Sequence, residues 1–122
     1  MQRNPVTGLF RQFLAALVLP AVTASLGLAQ APEVGGTLIV VNKGAASASI
    51  VDVSTGQILK TLPTNEGPHE VVVSEDGSVA VVTDYGARSG GNTLTVIDVP
   101  GLAVARTVDL GEHRRPHGID FM

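Results

Sequence analysis

GPHEVVVSEDGSVAVVTDYG, residues 67–86, decides how the chain is to be read. Two short apolar runs, 69–73 (HEVVV) and 79–84 (VAVVTD), flank Ser74-Glu75-Asp76-Gly77. An Asp-Gly pair between such runs predicts a hairpin, because glycine takes the positive-φ position of the closing turn at little steric cost. Valine and threonine carry two heavy atoms on Cβ and suit a pleated surface better than a helix. The runs are also continuous. A sheet with one wet face alternates apolar and polar residues, so VVV, VAVV, TLIVV (37–41) and LTVI (94–97) predict strands covered on both faces.

Further strands are expected at 37–42, 49–53, 57–62, 93–99 and 103–110, with a last one beginning at 117–122. Tight turns fall at 54–56 (STG) and 100–101 (PG), and loops at 43–48, 63–68, 85–92 (YGARSGGN) and 111–116 (GEHRRP). No segment after residue 29 has useful helical periodicity. The segments repeat. Residues 38–44 (LIVVNKG) align with 80–86 (AVVTDYG), and 50–53 (IVDV) with 96–99 (VIDV). Lys60-Thr61 aligns with Arg106-Thr107, and Pro68-His69 with Pro116-His117. The offset drifts from 42 to 46 to 48, through insertions in 85–92 and 111–116. A four-strand repeat of about 40–45 residues is the period of a β-propeller blade. An immunoglobulin-like sandwich would show more alternation and no repeat. The fold class is therefore all-β, a β-propeller fragment of four-stranded antiparallel blades, with repeats at about 37–77 and 78–122. Lettering strands A to D from the inner channel outward, 69–73, 79–84, 93–99 and 103–110 form one complete blade. B, C and D of another blade precede it, and A of a third follows.

Val81-Val82-Thr83-Asp84, and more loosely Ile39-Val40-Val41-Asn42, resemble the signature of the YVTN-type (lactonase-like, seven-bladed) β-propeller repeats. Gly67-Pro68-His69-Glu70 and Ser74-Glu75-Asp76-Gly77 resemble the same family's G-x-P/H and S-P-D-G segments, with Glu75 where proline is usual. The resemblance covers 36–122. It implies a WD40-like propeller fold that hosts enzymes, binders and adhesins alike, so it implies no single chemistry.

The first 29 residues differ from the rest. Arg3 and Arg11 sit in a basic start, 13–28 is apolar apart from Pro20, Thr23, Ser25 and Gly27, and small residues follow. This is the layout of a secretory signal peptide, with cleavage expected after Ala29, since cleavage after Ala31 would leave Pro32 at the new N-terminus. An uncleaved anchor is the alternative, but about 16 apolar residues broken by a proline fall short of the roughly 20 that span a bilayer. Residues 30–36 form a lead-in. The expected location is periplasmic or secreted, with no membrane span after cleavage. Loss of Arg3 and Arg11 leaves six basic against eleven acidic residues, a formal charge of −5. That balance, with only four aromatics in the whole chain, argues against nucleic acid. The absence of cysteine rules out disulfides, thiolate metal sites and a cysteine nucleophile.

Two blades do not close a ring that usually needs four to eight. The expected partners are therefore the remaining blades of a longer chain, or further copies in a homo-oligomer, together with a small ligand or partner protein. The fold sorts the connections onto two ends. A–B and C–D turns are tight. The B–C and D–A loops share the other end, with both insertions and both Pro-His pairs, and length variation concentrates where proteins bind. Candidate ligand-binding residues there are His69, Glu70, Tyr85, Arg88, His113, Arg114, Arg115 and His117, with Lys43, Asn65, Glu66, Asn92 and Glu112 beside them. His69 and His117 occupy equivalent positions and are weak metal candidates, since Zn²⁺ takes at least three protein ligands; repeat-signature histidines bonded to a neighbouring backbone are the structural alternative. Glu70 stands where the second copy has Gly118, a difference that points to function. Asp52 and Asp98 are expected to bond turn backbone, and Asn42 and Asp84 to cap the turn after strand B. Arg114-Arg115 reads as a solvated loop or an anion contact. There is no G-x-S-x-G, P-loop, dinucleotide G-x-G-x-x-G or H-E-x-x-H motif, so no catalytic residue or cofactor is specified. A binding scaffold is the leading reading; a propeller enzyme, a sugar-lactone hydrolase or metal-dependent oxidoreductase, is the alternative.

Overall fold

The computed structural model describes residues 32–122; the expected signal segment and its cleavage site lie outside the described residues. Seven strands form two antiparallel meanders. β1 (Thr37–Asn42), β2 (Ser47–Asp52) and β3 (Ile58–Pro63) make a three-stranded sheet, and β4 (Pro68–Val73), β5 (Val79–Asp84), β6 (Thr93–Asp98) and β7 (Ala103–Asp109) a four-stranded one. These are B, C and D of one blade and A to D of the next. β1 and β5 have the expected bounds, and the others differ by one or two residues. Residues 43–48 do not form the open loop expected of them. A 3-10 turn at Lys43–Ala45 and a left-handed Ala46 (φ 47°) bring the chain round so sharply that Ser47 already pairs with Asn42.

The repeat extends to irregularities of register. β2 against β3 slips between Ile50 and Val51, and β6 against β7 slips between Val96 and Ile97, the equivalent place. A bulge twists and bends the outer strand locally, and its recurrence marks one building unit used twice.

One apolar cluster joins the sheets: Ala48, Ile50 and Leu62 from the first, Ala80, Val82, Ile97 and Val99 from the second. β1 lies by β4, and β3 by β7, so the blades sit side by side. The expectation of strands covered on both faces holds for one face of each blade only. In β1, Ile39 and Val41 turn to the core, while Leu38 (52% exposed) and Val40 turn out. Ile58, Leu59 and Val73 are also bare. Two blades supply one mutual interface, and each outer face leaves about 25 cal/mol per Å² of apolar area in water.

The eighth strand is a correction. Residues 117–122 form no strand. Strand A needs a strand B for its backbone hydrogen bonds, and the described residues offer none beyond it. Gly118 N–H instead donates to the Glu70 carboxylate. No helix among the described residues is long and apolar enough to cross a membrane.

At the tight-turn end, acids hold the chain. Asp52 Oδ1 accepts from Ser54 N (2.8 Å), Ser54 Oγ (2.5 Å) and Thr55 N (3.2 Å), and Asp98 Oδ1 accepts from Gly101 N (3.1 Å). Both therefore bond turn backbone, as expected. Asp76 Oδ1 accepts from Ser74 Oγ (2.6 Å), Ser78 N (3.0 Å) and Ser78 Oγ (2.8 Å). The Ser74 hydroxyl, then the Ser78 amide and hydroxyl, draw its carboxyl down to about 2.

Candidate functional site

Loops meet at the opposite end, where their backbones bond one another. Thr64 N donates to Ala46 O (2.9 Å), Gly86 N to Glu66 O (2.8 Å), Tyr85 N to Gly67 O (3.1 Å) and Arg115 N to Gly91 O (2.7 Å). Such close approach needs residues without Cβ. A Cβ on Gly86 would run into the backbone of Gly90 and Gly91, and one on Gly91 into the Asp84 carbonyl oxygen. The glycines of YGARSGGN are thus packing residues that let the long insertion fold flat against its neighbours.

Tyr85 lies at the centre of these loops, half-buried. His69 packs on its ring with centroids 5.0 Å apart, and His117 with centroids 6.1 Å apart. Lys43 Nζ is 5.3 Å and Arg115 Cζ 5.2 Å from the ring centroid, within cation–π range. Lys43 Nζ also lies 3.4 Å from His69 Nδ1. Four separate segments supply these five side chains: the 3-10 turn, the start of β4, the end of β5 and the segment after β7.

Arg115 is held in an unusual backbone. Its φ of 59° lies in the left-handed region, which costs a non-glycine residue about 1–2 kcal/mol. Besides the Gly91 bond, its guanidinium Nη2 donates to Arg88 O (2.9 Å).

The other sequence candidates have separate places. Arg88 joins the group through its carbonyl alone. Arg114 donates to Gly90 O (3.2 Å). Asn92 bridges Asp109 Oδ1 and Gly111 O, both at 2.9 Å, and Asn65 donates to Thr93 Oγ1 (2.9 Å), so both tie loops to strands. Glu66 takes part through its carbonyl, and Glu112 and His113 are exposed. Glu70 bonds Gly118, its own repeat counterpart. The described residues bring together no group of three or more His, Cys, Asp or Glu fit to hold a metal ion, and they enclose no pocket.

The capping role expected for Asn42 and Asp84 is corrected. Asn42 Nδ2 donates across to Ser47 Oγ (3.2 Å) and Ser49 Oγ (2.9 Å). Asp84 Oδ2 accepts from Thr93 Oγ1 and Thr95 Oγ1, both at 2.9 Å. The two sets are equivalent by the repeat, each tying the end of strand B to two hydroxyls on strand C. Asp84 is fully buried, and its Oδ1 has no hydrogen-bond partner among the described residues. Burial pushes its carboxyl up from the usual carboxylate value, against the pull of the two threonine hydroxyls. The alternation Ala80, Val82, Asp84 carried the signal for this, since residues two apart share a strand face.

Comparison with known proteins agrees with this architecture. Hydrazine synthase of Kuenenia stuttgartiensis is structurally similar, with 26% identity and a TM-score of 0.59 over 66% of this chain. The chain spans only 22% of that protein. No curated protein matches. The family model for YNCE-like β-propellers matches residues 18–122, nearly the whole sequence. Blade repeat, recurrent bulge and family match agree: the chain belongs to the YNCE-like β-propeller family.

Proposed function

We propose that the protein is an exported propeller of the YVTN type that serves as a binding scaffold, taking a small ligand or a partner protein at the loop end. One observation carries this reading: four chain segments converge on Tyr85 with Lys43, His69, Arg115 and His117, and no core packing requires these exposed polar groups to meet there. The leader-like first 29 residues support export, and the VVTD and VVN strand ends support the YVTN affinity. The test is a thermal-shift screen of small molecules on the full-length protein. Tyr85→Ala should abolish a stabilising hit, and Asp76→Ala, at the opposite end, should leave it intact. A hit that survives Tyr85→Ala, or is lost equally with Asp76→Ala, refutes the loop end as the binding face.

A second reading, a propeller enzyme, draws support from the likeness to hydrazine synthase. Metal analysis of the full-length protein separates the two. Stoichiometric metal that His69→Ala removes would favour the enzyme.

A further inference from the structure

We infer that the Tyr85 cluster is an oxyanion site, built for the carboxylate or phosphate group of a small molecule. The inference rests on the loop end being the binding face and adds the chemical class of what binds there.

Most of the basic residues gather at the loop end. Four of the six Lys and Arg residues beyond residue 29, Lys43, Arg88, Arg114 and Arg115, and all three histidines belong there, interleaved with Glu66, Glu70 and Glu112. Lys60 and Arg106 lie within β3 and β7. Asp52, Asp76 and Asp98 belong to the turn end, where their carboxylates are taken up by turn hydroxyls and amides.

Lys43 and Arg115 approach the same ring, and among the described residues no carboxylate is bonded to either side chain. The bonds the two make are to His69 Nδ1 and the Arg88 carbonyl, which neutralise nothing. Glu70, the acid next to His69, has its carboxylate on Gly118 N–H. Each cation lies just over 5 Å from the ring centroid, and an anion that reaches both is attracted by both. The donors left over suit an oxyanion. Lys43 retains ammonium protons, and the Arg115 fork keeps most of its five N–H groups, a geometry that matches carboxylate and phosphate alike.

Backbone strain at Arg115 points the same way. Glycine or asparagine would occupy φ 59° more cheaply, and strain of this kind gathers where a side chain must be aimed. The side chain so aimed is one of the two cations over Tyr85.

The test is calorimetric titration of the full-length protein, at an ionic strength of about 0.15 M, with inorganic phosphate and separately with citrate. At least one should bind, and the arm that binds identifies phosphate or carboxylate as the group. Lys43→Met and Arg115→Asn should each weaken binding roughly tenfold, the scale of one charge-assisted hydrogen bond, and together abolish it. Lys60→Gln, an equal charge loss within β3, should change it less than about twofold, since exposed charges farther than a Debye length are screened. Asparagine tolerates the left-handed backbone, so Arg115→Asn should keep the wild-type melting temperature. Failure of both anions to bind, unchanged binding by the double variant, or equal loss with Lys60→Gln overturns the inference. Tyr85-dependent binding of neutral molecules without oxyanions also overturns it, while leaving the binding face itself in place.

Discussion

The two ends of this molecule are built from the same strands and opposite materials. At one end the hairpins close in four or five residues, and turn backbone is served by Asp52, Asp76 and Asp98 from within each turn. At the other end the connections between strands run from four to eight residues and bond to one another as well as within themselves, with Gly67, Gly86 and Gly91 at the close approaches. The turn end is local and self-sufficient. The loop end exists only when both sheets are in place, and that is where cations and the aromatic ring meet.

Glycine substitutions test this difference most severely. Gly91→Ala in the full-length protein should cost about 3 kcal/mol, because its Cβ would run into the Asp84 carbonyl, which a packed strand cannot yield. Gly77→Ala, at the turn end, has open space about it and only its φ of 72° to strain, and should cost about 1 kcal/mol. Equal losses in urea denaturation would break the contrast.

Asp84 comes next. Asp84→Ala strands the buried Thr95 hydroxyl, removes one partner of Thr93 and should cost about 2 kcal/mol. Asp84→Asn should be far milder, since Asn42 already fills the equivalent place and accommodates two hydroxyls there. Its pH signature has a definite sign. The folded state holds the Asp84 proton more tightly than the unfolded chain does. The stability it contributes is thus present below the ordinary value of 3.8 and is lost as pH rises through the elevated one. Asp84→Asn should flatten that fall in a denaturation series above pH 4. A stability curve unchanged by the substitution would remove the burial argument.

Tyr85→Ala should lower stability by no more than about 1 kcal/mol, since its cation and imidazole neighbours are exposed. Its effect should appear in binding. A large loss of stability would make the cluster a fold element rather than a site.

Asp76 gives the smallest effect and the opposite pH sign. Its carboxyl is held at about 2 by the Ser74 hydroxyl and the Ser78 amide and hydroxyl. Its contribution is present above 3.8 and lost as pH falls toward 2. Asp76→Ala should shallow the acid limb of the same denaturation series while leaving the limb above pH 4 alone.

Much of this architecture was legible in residue order. Asp76-Gly77 marks its hairpin because turn chemistry is local, and the offsets of 42, 46 and 48 mark blades because each blade repeats one set of hydrogen-bonding demands. The candidate list for the loop end came from the same source, and contained Tyr85 and all four residues about it. It also contained Glu112 and His113, which stand apart, because loop membership says nothing about which side chains meet. The capping role read for Asp84 failed for a related reason. A carboxylate at a strand end serves a turn or crosses to the next strand according to which face it occupies, and only the register of β5 against β6, with Asp84 opposite Thr93, decides that.

By itself the sequence determined what depends on neighbours along the chain: seven strands, their turns, the blade period and the leader-like start. Tertiary structure alone decided what depends on neighbours in space. It left 117–122 without a strand, since backbone donors pair only where a partner strand lies alongside. It buried Asp84, bared Leu38 and Val40, and set Lys43 and Arg115, 72 positions apart, over one tyrosine ring.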